Sequence, residues 1–397
     1  MTRAFLFISV PFQFGQKTNH NIMKIWLLDP YFTGSHKKWA LEYQKHSSHE
    51  IILLTLKGRH WKWRMHGGSV TLAKKALDQK ERPDLFLATS MMDITTFLAL
   101  TRSKFKNIPI ALYFHENQWS YPLSPKDTDI KHQRDQHYGF IQYASALAAD
   151  ALFFNSSFHL ENFLDGTLKF LKNMRDYREL ETIPLIREKS FVLPLGLDLK
   201  KFDQFQNFST PKKEGKKPTP LLLWNHRWEY DKNPDGFFNT LFKLDEEKID
   251  FNLALLGDDK GRNLPPIFKK AKDYFGRRIL VSGHQEHFED YASWLWKSDI
   301  SFITSHHDFF GISAVEALYC NCLPIYPNRL AYPEHFTSVG QKHLYTDDYE
   351  GHQALKRALL KFPSNETIPS NIAKKYDWSQ MAPIYDNKFL NLKSEFE

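Results

Sequence analysis

The stretch ISFITSHHDFFGISAVEALYCNCLPIYP, residues 300–327, begins and ends on short β-rich apolar runs, ISFITS (300–305) and CLPIYP (322–327). Between them Gly311 permits a sharp turn, and the Ile, Ala, Val, Ala and Leu that follow favour a helix, so the segment reads as a parallel βαβ unit. The unpaired N–H groups and dipole at such a helix start face an anion, and a phosphate fits there. Asp308 and Glu316 stand eight residues apart, at most ~12 Å along an ideal helix axis. They cannot share one metal ion unless the loop folds back. They are better disposed to accept hydrogen bonds from hydroxyls, one set on a sugar and the other on a ribose. Taken alone, Glu316 reads equally well as an exposed or capping acid. The two histidines and two cysteines suggest zinc, but zinc ligands recur as C-x₂-C or H-x₃-H. Here the cysteines form C-x-C and come after a helix that separates them from the histidines, so no metal site is expected and both thiols read as small buried side chains.

Outward from this unit the same alternation fills the chain. KIWLLD (24–29), EIILLTL (50–56), DLFLATS (84–90), IPIALYF (108–114), ALFFNS (151–156) and SFVLPLG (190–196) precede a Pro/Lys-rich run, FDQFQNFSTPKKEGKKPTPL (202–221), that lacks apolar periodicity and reads as a linker. The pattern restarts with PLLLWNHRW (220–228), FNLALLGD (251–258) and RILVSGH (278–284), with helical segments at 234–247 and 288–297. The expected class is α/β: two Rossmann-like parallel-sheet domains facing across a cleft, over residues 23–202 and 220–375, joined by a linker at 203–219. Residues 376–397 place Trp378, Met381, Ile384, Tyr385 and Phe389 at roughly helical spacing and predict an amphipathic helix that packs back on the first domain.

Composition sets the outer bounds. The 397 residues are 42% hydrophobic, enough for two cores, and carry a formal net charge of +7, compatible with a polyanionic partner without requiring one. Cys320 and Cys322, the two cysteines, suit a reducing compartment, the cytoplasm. Residues 1–22 have one early Arg and an apolar run broken by Pro11, a poor signal peptide, and read as a disordered leader or upstream start. No run approaches the length of a membrane span, so no stable membrane association is expected.

Several strand ends carry polar side chains. LLLWNHRWEYDKNP delivers His226, Arg227 and Lys232; the guanidinium can grip a diphosphate bidentately and the ammonium adds a point charge. A surface ion pair of Arg227 with Glu229 or Asp231 is the alternative. DPYFTGSHKKW sets Gly34, Ser35 and His36 at a strand-to-helix turn, and YFHENQWSYP sets His115 and Glu116 just past a strand, where a histidine can orient a sugar hydroxyl or take up a proton. Neither G-x-G-x-x-G nor G-x-x-x-x-G-K-[ST] occurs, which weakens dehydrogenase and P-loop readings. KGRHWKWRMHGG (57–68) interleaves Lys57, Arg59, Lys62 and Arg64 with His60, Trp61 and Trp63. It suits looped nucleic acid, or it is a loop whose tryptophans pack on the domain.

Taken in order, the Gly34 loop, PLGLD, HRWEYDK, DFFGISAVE and a Trp-bearing terminal helix resemble GT-B glycosyltransferases of family 4 type. More narrowly, DPYFTGSHKKW, HWKWRM, YFHENQWSYP, NHRWEYDKNP and FFGISAVEALYCNCLPIYPNRLAYPEHF look like the tRNA-queuosine mannosyltransferase family, over about Met23 to Phe336. This resemblance implies a retaining transfer of mannose from GDP-mannose to the cyclopentene diol of queuosine at the wobble position of tRNA-Asp, without a metal or other cofactor. It implies that Arg227 and Lys232 hold the diphosphate with the backbone of Phe310, Gly311 and Ile312. It further implies that Glu316 holds the ribose, that His115 and Asp308 are catalytic at the donor sugar, and that Gly34 lies near the phosphates. His36, Trp61, Lys62, Trp63, Arg64, Glu116 and Asn117 are expected on the acceptor side, facing a queuosine-bearing anticodon loop. The first acid of the family's E-x₇-E pattern is Asp308 here, one methylene shorter. Rival readings are the same fold with another nucleotide sugar or a lipid or polysaccharide acceptor, and a non-catalytic RNA-binding homologue.

Overall fold

A computed structural model describes residues 22–122, 136–208, 218–257, 264–336, 338–363 and 371–396. The leader expected at 1–22 therefore lies almost wholly outside the described residues. Among the described residues twelve strands form two six-stranded sheets, and every strand pairing in both is parallel.

The first sheet contains β1 (Lys24–Phe32), β2 (Glu50–Lys57), β3 (Leu85–Thr89), β4 (Ile110–Phe114), β5 (Ala151–Phe154) and β6 (Ser190–Val192) in the order β2-β1-β3-β4-β5-β6. The second contains β7 (Leu221–Asn225), β8 (Asn252–Leu256), β9 (Ile279–Gly283), β10 (Ile300–Phe302), β11 (Leu323–Pro327) and β12 (Leu344–Tyr345) in the order β12-β11-β10-β7-β8-β9. Helices cover both faces of a parallel sheet, so its central strands read as unbroken apolar runs. All five residues of β3, β4 and β7 are buried. β12, two residues long, carries no such run and escapes a sequence reading.

Strand order reverses between β1 and β3 in one sheet and between β7 and β10 in the other. Chains leaving the carboxyl ends of neighbouring strands part at such a point and open a crevice for ligands. β1 leads there to Gly34, β4 to His115 and Glu116, β7 to the segment 226–232, and β10 to the segment 306–311. The two crevices face each other.

Three expectations need correction. The basic aromatic stretch at 57–68 is not a loop: His60 takes a left-handed conformation (φ 52°) and a helix, Trp61–Leu77, starts directly after it. The linker also begins later than its composition suggests. Lys200–Phe208 is a 3₁₀ helix in which Phe202 is buried against Phe288, ring centroids 4.8 Å apart, and the Phe202 carbonyl accepts the Trp296 indole N–H at 2.8 Å. The Pro/Lys-rich part at 209–217 lies outside the described residues. In the terminal helix, Trp378–Phe396, the residues Trp378, Met381, Tyr385 and Phe389 are buried, but Ile384 is 44% exposed. A stripe that steps from 381 to 385 to 389 turns position 384 away.

That terminal helix returns to the first domain. The Tyr385 hydroxyl accepts the Trp39 indole N–H at 3.2 Å and donates to the Pro194 carbonyl at 2.9 Å. Asp386 accepts from the Tyr43 hydroxyl (2.9 Å), the Ser47 hydroxyl (2.6 Å) and the Ser48 N–H (2.8 Å). A carboxylate with that many donors ties the end of the chain to the helix Gly34–His46, which carries one rim of the crevice. Glu334 of the second domain accepts the Ser157 and Phe158 N–H groups at 2.8 and 2.7 Å, the first turn of the helix Ser157–Lys172, and so fixes the facing rims.

Candidate active site

The crevices meet in a cleft of about 450 Å³ between the domains. Of the expected residues Gly34, His36, Trp61, His115, Glu116, Arg227, Lys232, Asp308, Phe310, Gly311 and Ile312 line it, joined by Asn155 and His307 and by Tyr31, Met91, Gln118 and Tyr121, the last four of which the sequence reading did not single out. Gln118 and Tyr121 sit beside His115 and Glu116 in the chain; a polar run just past a strand end was the signal that could have found them. Gly34 has φ 51°, and a Cβ there would meet nothing within 4 Å. Its backbone conformation, not crowding, calls for glycine, and the space above it stays open.

On the second-domain wall the cations are already partnered. Lys232 Nζ lies 3.1 Å from Asp308 Oδ2 and 3.4 Å from Asp231 Oδ2, and donates to the His307 carbonyl at 2.8 Å. Arg227 pairs with Glu229 at 2.7 Å and stands 3.8 Å from Asp231, so the surface ion pair weighed as the alternative does form. Asp308 accepts the Gly311 N–H at 2.9 Å and the Tyr332 hydroxyl at 3.1 Å besides Lys232. Burial works against its charge, yet Lys232 and its neighbours hold the carboxyl down to about 2. Asp308 thus fastens the loop and pairs with the lysine, and the Gly311 N–H expected to meet a phosphate is occupied by it. Gly311 itself has φ 84°, and a Cβ would come within 2.9 Å of the Tyr332 ring. The helix Ile312–Tyr319 starts there, with its first N–H groups and positive dipole end toward the cleft.

Glu316 is not in this cleft. It is buried in the second turn of that helix, accepts the Tyr291 hydroxyl at 2.7 Å and faces Lys38 at 3.6 Å. Lys38 lines an adjoining recess of about 110 Å³ that shares Gly34, Ser35, Leu195 and Ile312 with the cleft. Cys320 and Cys322 are buried, and burial raises both thiols far above their ordinary value.

The first-domain wall is built differently. His36 Nε2 lies 3.0 Å from Glu116 Oε2, and its Nδ1 is 3.7 Å from Asp29 Oδ2, an ion-pair distance too long for a hydrogen bond. Burial opposes a charged ring, but Glu116 and Asp29 outweigh it and raise His36 to about 10. The ring of His115 lies 4.2 Å from that of His36. Burial and the His36 cation push it well below its usual value, so it is neutral, and its buried Nε2 has no protein partner among the described residues.

The basic aromatic segment is split by its helix. Trp61 turns into the cleft and packs on Tyr138, centroids 5.0 Å apart. Trp63 is 63% exposed with its ring across Gly67. Lys62 stands 5.7 Å over the Trp61 ring and Arg64 Nε donates to the Lys57 carbonyl at 3.2 Å, so neither lines the cleft. Asn117, expected on the acceptor side, is corrected: it is fully buried, donates to Asn162 at 3.0 Å and accepts the Trp119 N–H at 3.1 Å. It shapes the turn and touches no cleft.

Two facing Rossmann-like domains with cationic strand ends opposite a helix start define a glycosyltransferase of the GT-B fold. The chain is similar to a sucrose-phosphate synthase from Thermosynechococcus elongatus (TM-score 0.66, 14% identity, 94% of this chain and 100% of that one) and a glycosyltransferase from Rickettsia africae (TM-score 0.64, 16% identity, 95% and 99%). Residues 206–377 match the family model "Glycosyl transferases group 1", and residues 24–197 match "tRNA-queuosine alpha-mannosyltransferase N-terminal". A tRNA-queuosine alpha-mannosyltransferase of Drosophila melanogaster is 32% identical over 321 residues, 78% of this chain and 81% of that protein. The chain belongs to the tRNA-queuosine alpha-mannosyltransferase family. Among the described residues no helix is long and apolar enough to cross a membrane.

Proposed function

We propose that this enzyme moves mannose from GDP-mannose, with retention, to the cyclopentene diol of queuosine at the wobble position of tRNA-Asp, in the cytoplasm. The observation that carries the reading is that residues 24–197, which form the first-domain wall of the cleft, match the N-terminal family model, beside a Drosophila enzyme 32% identical over 321 residues. Arg227, Lys232 and the start of the helix Ile312–Tyr319 meet the diphosphate, whose charge grows as the anomeric C–O bond breaks; donors fixed where charge develops stabilise that state most. With this cationic wall, we expect transfer to proceed without a metal ion. The acceptor hydroxyl attacks the face that the diphosphate leaves, its proton passes to a departing phosphate oxygen, and GDP and the glycoside result. His115, neutral and with Nε2 free, holds a hydroxyl of the sugar. Glu316 exchanges Lys38 for the ribose hydroxyls.

The test is to incubate the protein, with and without EDTA, with queuosine-bearing tRNA and separately GDP-mannose, UDP-glucose or UDP-galactose, and then weigh the wobble nucleoside. A hexose added from GDP-mannose with EDTA present is expected. No hexose from any donor would remove the tRNA assignment, and loss with EDTA would remove the metal-free one.

A further inference from the structure

Among the described residues, the first-domain wall carries an acidic surplus that no protein cation in the cleft balances. Asp29 is fully buried and its Oδ2 has no hydrogen-bond partner among the described residues, while Glu116 lines the cleft behind a single histidine. With His36 charged, two carboxylates face one cation. Among the described residues the other cations of the cleft, Arg227 and Lys232, are committed to Glu229, Asp231 and Asp308. A buried net charge is costly unless something pairs with it. A nucleotide sugar brings only more negative charge, so the balancing cation belongs to the acceptor.

The surroundings of Glu116 narrow the chemistry. Oε2 takes the His36 N–H, while Oε1 has no protein donor among the described residues and is left for a ligand. The cleft beside it is lined by Tyr31, Trp61 and Met91, which pack with Met65 and Tyr138 in one small apolar cluster. Aromatic faces and a thioether favour a small hydrocarbon ring and tolerate a cation nearby. The unpartnered Nε2 of His115, whose side chain is more than nine-tenths buried, stands next to the same pair of groups as a hydroxyl-sized polar contact.

We propose that Glu116, oriented by His36, is the ligand of a protonated amine on the acceptor, with Tyr31, Trp61 and Met91 holding the ring that carries the reacting hydroxyls. This rests on the proposed function for its physiological substrate: in queuosine the cyclopentene diol joins the nucleobase through a secondary amine, a cation near neutral pH. His36 is a positioning residue; Glu116 touches the substrate.

The first measurement needs no tRNA. An aminocyclopentane diol and the same diol without its amine are titrated into the GDP-loaded enzyme and followed by NMR. The aminodiol is expected to bind wild type and the plain diol more weakly. Glu116→Gln, which keeps the shape and removes the charge, is expected to weaken the aminodiol roughly ten- to hundredfold, as for hydrogen bonds to charged groups, and Glu116→Asp to retain part of the preference. GDP affinity serves as the control for folding. Equal affinity for the two diols, binding of neither, or unchanged aminodiol binding in Glu116→Gln overturns the proposal. On queuosine-bearing tRNA, Glu116→Gln is expected to raise KM by a similar factor with a smaller change in kcat; an unchanged KM overturns it as well. If wild type discriminates the diols yet glycosylates no queuosine, the tRNA assignment falls and the amine subsite stands.

Discussion

The two walls of the cleft are both charged but solve burial in opposite ways. On the second-domain wall Lys232 and Arg227 are each matched by carboxylates, and Asp308 satisfies a lysine, a backbone N–H and a tyrosine at once. On the first-domain wall one imidazolium serves two acids, and among the described residues Asp29 Oδ2 and His115 Nε2 have no hydrogen-bond partner. On the proposed function, a wall complete in itself exchanges partners to bind an anion, and a wall left incomplete is finished by its ligand.

The sharpest way to break this contrast is Lys232→Ala, which strands Asp308 without its lysine and leaves Asp231 only the longer contact to Arg227. Single-turnover transfer should fall by about 10²–10³, and the melting temperature should fall with it, since removing one partner of a buried pair is strongly destabilising. Retention of both would mean that Asp308 needs no lysine. Arg227→Ala comes next: it and Glu229 are each about half exposed and the buried Asp231 keeps Lys232, so stability should hold, while transfer loses roughly 2–4 kcal/mol of transition-state stabilisation. Unchanged turnover would take Arg227 out of the site.

The walls should also respond to opposite ends of the pH scale. His36 is raised to about 10 in the folded chain, against about 6.5 in the unfolded one. Its contribution is therefore complete below pH 6.5 and lost as pH climbs through about 10. Asp308 is lowered to about 2 from 3.8, so its contribution is complete above pH 3.8 and lost as pH falls through about 2. Melting temperatures measured from pH 6 to 10 should decline in wild type more steeply than in His36→Asn; parallel curves would show that the ring is not the paired cation. The smallest effect belongs outside both walls. Trp63→Ala, at an exposed site, should leave stability within about 0.5 kcal/mol but raise KM for tRNA by the loss of a single stacked base, about 1–3 kcal/mol. Equal KM values would remove Trp63 from the RNA surface.

Much of this was legible from residue order. The strand runs are apolar because helices cover both faces of each sheet, and the polar residues at their carboxyl ends emerge in the cleft because parallel sheets open there. Gly34 and Gly311 are marked by the turns they make. Other features were hidden by local resemblance. Asn117 follows two cleft residues yet turns inward to Asn162, forty-five positions on. Phe202 and Phe205 were masked by lysines and prolines although the first anchors a 3₁₀ helix on the second domain. The tryptophans of 57–68 look alike in sequence, and only the helix that begins at Trp61 sends one into the cleft and the other to solvent.

The sequence by itself determined the class of fold, the family and the cations of the second-domain wall, because periodicity, turn residues and strand-end chemistry are local properties. The tertiary structure decided which of those side chains meet and what charge they carry. His36 and Glu116 are eighty residues apart in the chain and 3.0 Å apart in space. His115 is neutral and His36 charged through burial and neighbours supplied by other strands, since electrostatic energy depends on distance and surroundings that residue order alone does not specify.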